Sequence, residues 1–157
     1  MTNKQLTFAF FGNTYQLRKS TSLACALDYL RSRNERIIFD RKFRDFLSRD
    51  QLLDLSGVEV FDGDKFEADY AVSIGGDGTF LRAASWVGDR EIPIFGINTG
   101  HLGYLSGATT DSVEQMLDDI RNGRYRTESR SLIQVDADPH GSLPKRFALN
   151  EVAVLKD

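Results

Sequence analysis

Short apolar runs alternate with amphipathic segments along most of the chain. The runs are rich in Phe, Ile and Val and end at glycine or polar residues, which is typical of strands buried on both faces of a sheet. They predict five strands, at residues 6–11, 36–39, 58–61, 71–74 and 92–97.

The segments between these runs have the spacing of helices. The first follows cap candidates at residues 20–22, and its apolar stripe at i, i+3, i+4 and i+7 is Leu23, Ala26, Leu27 and Leu30. Similar spacing predicts helices near residues 43–53 and 80–87. A fourth helix has Asp111 and Glu114 as a capping box and Gly123 as its terminator. Strands alternating with helices predict an α/β fold, a doubly wound Rossmann- or flavodoxin-like parallel sheet with helices on both faces.

The pattern changes after residue 123. Two apolar runs, Leu132–Val135 and Phe147–Leu155, flank a turn-rich stretch at residues 138–142, which predicts a β-hairpin. We therefore divide the chain into an α/β domain, residues 1–123, and the start of a β-rich domain, residues 124–157. Because an isolated hairpin is rarely stable, we expect the chain to be the N-terminal piece of a longer protein.

Composition narrows the classes of partner. A formal net charge of -3 indicates neither a nucleic-acid nor a membrane-surface partner. No apolar run is long enough for a membrane helix or a signal peptide, so a cytoplasmic location is expected. The single cysteine, Cys25, excludes an internal disulfide and is interpreted as a small core residue. His101 and His140, the two histidines, lie in predicted loops and indicate no metal site.

The strongest chemical signal is the run GGDGT at residues 75–79, between a buried strand and a helix. Its glycines let backbone approach a ligand, and the helix that follows points N–H groups and a positive dipole end outward, which suits phosphate. A doubly wound fold needs tight turns in any case, so the glycines alone are ambiguous. Asp77 favours function, because a carboxylate beside phosphate is repelled unless it accepts a proton or contacts a ligand hydroxyl or metal.

Three runs together resemble the NAD kinases. They are GGDGTFLRAA at residues 75–84, GINTGHLGYLS at residues 96–106, and Asn150–Glu151 within ALNEVAV. Diacylglycerol and sphingosine kinases carry a run similar to the first, and phosphofructokinases a related one, so the second and third runs narrow the resemblance. It extends over nearly the whole chain.

The resemblance implies a role for each residue of the glycine-rich run. Asp77 would accept the proton of the adenosine ribose 2′-hydroxyl of NAD while that oxygen attacks the γ-phosphoryl group of ATP, giving NADP. Gly78 would bring backbone against the dinucleotide. The phosphate-holding turn would be shaped by Gly75, Gly76 and Thr79.

The resemblance assigns further contacts outside this run. Arg82 would reach NAD or a phosphate, the alternative being a solvated helix arginine. Asn150 and Glu151 would hydrogen-bond bound NAD, although the strand pattern alone makes them exposed polar residues. His101 and Tyr104 are interpreted as loop packing, and Tyr104 stands where the family often has Phe.

Family membership also implies Mg²⁺ or another divalent cation bound with ATP, without dedicated protein ligands, and a homo-oligomer at full length. Family members continue past the Asn–Glu pair into a β-rich domain, so the chain alone is expected to be inactive. Two alternatives stay open. One is a nucleotide-binding module without catalysis, and the other, resting on GGDGT alone, is a kinase of lipids or other alcohols.

Overall fold

A parallel five-stranded sheet forms the centre of the molecule. The computed structural model describes residues 4–12, 21–50, 53–99, 112–136 and 146–153. The strands are β1 (Thr7–Gly12), β2 (Arg36–Asp40), β3 (Glu59–Phe61), β4 (Tyr70–Ile74) and β5 (Ile94–Ile97). The helices are α1 (Thr21–Ser32), α2 (Arg41–Asp50), α3 (Asp77–Val87) and α4 (Val113–Arg121).

The strand order is β3-β2-β1-β4-β5, and every pair is parallel. Strands β2 and β3 therefore lie on one side of β1, and β4 and β5 lie on its other side. The boundary between β1 and β4 is the switch point at which open α/β sheets bind ligands, beyond the carboxyl ends of the strands. The predicted doubly wound sheet is confirmed.

Alternate residues of β1 serve two hydrophobic cores. Phe8 and Phe10 pack in a cluster with α1, α2 and α4, whereas Ala9 and Phe11 pack in a second cluster with α3. All four side chains are at most 1% exposed. Side chains of a strand point alternately to opposite faces, so a continuous apolar run is what a sheet covered on both faces requires.

The last residue of β1 illustrates how tightly the first core is filled. The ring of Phe43 lies where a Cβ of Gly12 would stand. Phe43 is fully buried and stacks on Phe39 with ring centroids 5.2 Å apart. The ring therefore has no room to move aside, and position 12 admits only glycine.

Helix α4 differs from its prediction at one end and agrees at the other. Its N-cap is Ser112 and makes no side-chain cap hydrogen bond, so Glu114 stands two rather than three positions after the cap and the predicted capping box is wrong. Asp111 lies outside the described residues. At the other end Gly123 has φ +68°, its N–H donates to the carbonyl of Ile120, and the next residue's N–H donates to that of Asp119. This is a Schellman motif, so the predicted terminator is confirmed.

The ends of two other helices also differ from their predicted positions. Helix α3 begins at Asp77, three residues before its prediction, and α2 ends before reaching Leu53. Cys25 is only partly buried, because it lies beside rather than within the apolar stripe of α1. Its interpretation as a core residue is therefore wrong.

A two-stranded antiparallel sheet follows, formed by β6 (Ile133–Val135) and β7 (Arg146–Ala148). The strand predicted from Phe147 to Leu155 is much shorter, since residues 149–153 have no strand structure and 154–157 lie outside the described part. Phe147 packs on the end of α3, where a Cβ on Gly88 would be 2.9 Å from its ring. The division into domains at residue 123 stays a prediction.

Polar side chains secure the edge of the sheet at which the strands begin, called here the amino edge. Glu35, just before β2, accepts a hydrogen bond from the Leu6 N–H at 2.6 Å and forms an ion pair with Arg121 of α4. Asp69, just before β4, accepts hydrogen bonds of 2.8 Å from both the Thr7 N–H and Lys4 Nζ. These contacts tie the starts of β1, β2 and β4 to one another and to α4.

Candidate functional site

The glycine-rich turn lies at the opposite, carboxyl edge of the sheet, between β4 and α3 and beside the switch point. The Gly75 N–H donates to the Ile97 carbonyl at 3.0 Å, which extends the pairing with β5 one residue past β4. Gly75 has φ +144°, a conformation that side chains rarely adopt. Glycine at this position lets the chain pass from strand to helix within two residues.

Helix α3 begins without a side-chain cap. Gly76 is the N-cap, in an extended conformation, and its carbonyl accepts hydrogen bonds from the N–H groups of Thr79 and Phe80. The first turn of a helix directs N–H groups that lack intrahelical partners outward, and the helix dipole adds a partial positive charge there. The start of α3 therefore has the chemistry of an anion site.

The space around the turn is open. A Cβ added to Gly76 or to Gly78 would meet no atom within 4 Å, in contrast to Gly12. Packing therefore does not require glycine at either position. The missing side chains instead leave room for a ligand to approach the backbone of the turn.

Asp77 and Thr79 take different environments within the turn. Asp77 is the first residue of α3, is partly buried, and lies between Gly76 and Gly78 in the sequence. A negative charge at this helix position is also favoured by the dipole, whatever its chemical role. Thr79 is only 5% exposed, so its contribution to the turn comes mainly through its backbone.

Arg82, on the second turn of α3, reaches across the switch point. Its Nη2 donates to the carbonyl of Gly12 at the end of β1. The alternative of an arginine surrounded only by solvent is therefore wrong. The contact fixes a cation between the carboxyl ends of β1 and β4, about one helical turn from Asp77.

Two polar residues beyond β5 were not singled out from the sequence. Asn98 is 6% exposed, and the Oγ1 atom of Thr99 is buried without a hydrogen-bond partner among the described residues. The signal was present, since a polar pair follows a buried strand within the GINTG run. The rest of that run, including Gly100, His101, Gly103 and Tyr104, lies outside the described part of the chain, as does His140.

Comparison with known proteins identifies this arrangement. Residues 50–125 match the family model of the ATP-NAD kinase N-terminal domain. The chain is also 41% identical, over 96% of its length, to the NAD kinase of Bacteroides fragilis. Residues 50–125 therefore belong to the ATP-NAD kinase N-terminal domain family. The predicted resemblance to the NAD kinases is therefore confirmed.

Other NAD kinases and one solved structure agree. The NAD kinase of Porphyromonas gingivalis is 34% identical over 94% of the chain. The chain spans about half the length of these curated relatives, 52% and 51% respectively. The crystal structure of yeast NADH kinase complexed with NADH shares the fold, with a TM-score of 0.67 at 18% identity over 95% of this chain and 48% of that one.

The Asn–Glu pair lies in the segment that follows the small antiparallel sheet. Asn150 and Glu151 are exposed and follow β7. Phe147 of β7 contacts α3 at Gly88, the end of the helix opposite to the turn. Within the described ranges, no hydrogen bond joins either residue to residues 75–79. The turn carries Asp77 and adjoins Arg82, whereas a place for the Asn–Glu pair in the same site stays a prediction.

No group of three or more His, Cys, Asp or Glu side chains that could hold a metal ion occurs among the described residues. Mg²⁺ commonly keeps waters and substrate phosphates as ligands and needs few from the protein.

Across the described residues, none of the helices has both the length and the apolar character to cross a membrane.

Proposed function

We propose that this chain forms the phosphate-binding side of an NAD kinase active site, which transfers the γ-phosphoryl group of ATP to the adenosine ribose 2′-hydroxyl of NAD. The observation that carries the proposal is the open turn at the uncapped start of α3, with Asp77 as first helical residue. The NAD kinase relatives support the choice of substrates.

The chemical step assigns Asp77 one proton. The 2′-oxygen forms a bond to the γ-phosphorus, the bond from that phosphorus to the bridging oxygen breaks, and ADP leaves. Asp77 accepts the proton released by the hydroxyl. Because phosphoryl transfer has a loose transition state, orientation and charge neutralisation supply most of the acceleration, and Asp77 acts chiefly by orienting the hydroxyl.

The turn and Arg82 handle the phosphate charge. Gly75, Gly76 and Thr79 shape a backbone cradle at the start of α3, and the open position of Gly78 lets the dinucleotide approach. Arg82 adds a full positive charge from a guanidinium already held by the Gly12 carbonyl. A cation positioned before the ligand arrives needs little reorganisation during the reaction.

Asn150 and Glu151 are proposed to hold NAD from the other side. Helix α3 is about 16 Å long, from 11 residues at about 1.5 Å each, and β7 contacts its far end. NAD lying along the helix would connect the pair with Asp77. Mg²⁺ or a similar cation would arrive with ATP and neutralise its phosphates. A homo-oligomer and a cytoplasmic location stay predictions.

The test is an assay of the chain with ATP, Mg²⁺ and NAD, in which NADP is detected by an NADP-specific dehydrogenase. The same assay on a protein extended to the length of the relatives provides the active reference, and turnover by the chain alone would contradict the expected inactivity. In the active protein, Asp77→Asn should lower kcat by about 100-fold or more. The control is Asp28→Asn, which changes an exposed aspartate on α1. This variant should keep the fold and the kcat of the unchanged protein.

Full activity of the Asp77→Asn variant would refute the proton-acceptor role. Binding of ATP and NAD without NADP formation by either protein would favour the alternative of a non-catalytic module. Phosphorylation of lipids or other alcohols, without phosphorylation of NAD, would favour the alternative of a lipid or alcohol kinase.

A further inference from the structure

The contact between Phe147 and Gly88 joins the small antiparallel sheet to the far end of α3, opposite the glycine-rich turn. A Cβ added to Gly88 would lie 2.9, 3.1 and 3.7 Å from the Cδ2, Cε2 and Cγ atoms of the Phe147 ring. Gly88 ends α3 with φ +59°, a conformation that favours glycine, and its N–H donates to the Ala84 carbonyl at 2.9 Å. The ring therefore lies directly against the backbone of the helix end, in the space that a side chain at position 88 would fill.

Arg90 holds this end of α3 in place. Its guanidinium donates to the carbonyls of Trp86 and Val87, within α3, at 2.6 and 2.9 Å. It also donates to the carbonyls of Asp64 and Phe66, in the segment after β3, at 3.1 and 2.6 Å. Phe147 therefore packs on a helix end that is itself bonded to the rest of the α/β fold.

The small sheet contacts the rest of the molecule mainly at this point. Among the described helices and strands, β7 packs chiefly on β6 and α3, and β6 packs chiefly on β7. Asn150 comes three residues after Phe147. A chain extends by at most about 3.6 Å per residue, so the Cα atoms of these two residues lie within about 11 Å of each other. A fixed Phe147 therefore confines the Asn–Glu pair.

We propose that Phe147 is a positioning residue for NAD, whose ring, packed on Gly88, holds Asn150 and Glu151 where they bind the dinucleotide. The inference rests on the proposed function of the Asn–Glu pair and adds to it the contact that sets the position of the pair. Groups that are already ordered before a ligand arrives do not have to be ordered by it, so the ligand binds more tightly. The effect is specific to NAD, because the triphosphate binds at the opposite end of α3.

The test measures NADP formation by the protein extended to the length of the relatives, with the concentrations of NAD and ATP varied separately. Phe147→Ala should raise the KM for NAD about tenfold, because NAD must then order the small sheet as it binds. The KM for ATP should stay within about twofold of that of the unchanged protein. Phe147→Tyr, which keeps the ring, should also keep the KM for NAD within about twofold. Ile133→Ala, which shortens an exposed apolar side chain of the same small sheet, is the matched control and should change neither KM.

The possible outcomes separate this inference from the proposed function. An unchanged KM for NAD in Phe147→Ala would overturn the positioning role and leave the kinase assignment standing. Equal increases in the KM for NAD and for ATP, together with a fall in Tm, would show that the ring only stabilises the fold and would also overturn the inference. Absence of NADP formation by the unchanged extended protein would reject the proposed function and this inference with it.

Discussion

The two edges of the sheet treat their polar groups in opposite ways. At the amino edge, Glu35 and Asp69 each receive two partners from other parts of the chain. At the carboxyl edge near β4 and β5, the helix start has no side-chain cap and Thr99 Oγ1 has no partner among the described residues. The first edge is held by side-chain contacts within the protein, whereas the start of α3 at the second edge has no hydrogen bond from a capping side chain.

This difference indicates a division of work within a parallel sheet. All strands begin at one edge and end at the other, so residues that hold the fold and residues that meet a ligand can be separated by the length of a strand. Polar groups at the amino edge are expected to affect stability. Those at the carboxyl edge are expected to affect binding, and removing them can leave stability unchanged or improved.

The largest expected effect on stability is at the amino edge. Glu35 and Arg121 side chains are 1% and 13% exposed, so Glu35→Ala leaves a buried cation and the Leu6 N–H without their acceptor. Breaking such a pair should lower the free energy of unfolding by about 3–5 kcal/mol. Urea denaturation measures the loss, and calorimetry on the folded variant should give unchanged ATP affinity. A loss below about 1 kcal/mol would remove the contrast between the edges.

At the carboxyl edge, Gly78→Ala should separate binding from stability. The new methyl group meets no protein atom within 4 Å, and alanine favours the helix over glycine by about 0.5–1 kcal/mol, so the variant should be as stable or slightly more stable. It should bind NAD at least about tenfold more weakly, because the methyl group occupies the space through which the dinucleotide is proposed to approach the turn. Asp89→Ala, beyond the other end of α3, is the control. Unchanged affinity in Gly78→Ala would mean that the open space is not used.

The smallest expected effect is the pH dependence contributed by Asp69. Burial raises the pKa of Asp69, but hydrogen bonds from Lys4 and the Thr7 N–H outweigh it and hold the pKa below its ordinary value. A lowered folded pKa stabilises the protein above the unfolded pKa of about 3.9, and this contribution is lost as pH falls through the folded value. Asp69→Asn should therefore lower Tm near neutral pH and converge on the unchanged protein in acid. A Tm difference that stays constant from neutral pH to about pH 2 would contradict this account.

Sequence alone predicted the sheet and the turn because both depend on local patterns. The run through Phe8 and Phe11 has the continuous apolar character of a doubly covered strand, and GGDGT marks a strand-to-helix passage by composition. The apolar pattern predicted too long a strand near Phe147. Strand β7 has only three residues, and a two-stranded sheet with exposed residues gives little stabilisation to a longer pairing.

Contacts between residues far apart in the sequence could not be predicted from local patterns. Arg82 and Gly12 are 70 residues apart, and the sequence around either residue does not predict their hydrogen bond. The burial of the Thr99 Oγ1 atom, which has no hydrogen-bond partner in the described part of the chain, likewise cannot be predicted from the residues around it. The Asn–Glu pair was assigned through the NAD kinase motif alone, and its meeting with Asp77 stays a prediction.

The contact between Gly12 and Phe43 has a consequence for how such proteins diverge. Since the Phe43 ring takes the place of a side chain at position 12, the two positions form one steric unit. A lineage that gains a side chain at position 12 must first shorten the residue at position 43, and an aromatic residue at 43 restricts 12 to glycine. Substitutions at these two sites should therefore appear together in the history of the family, although 31 positions separate them in the chain.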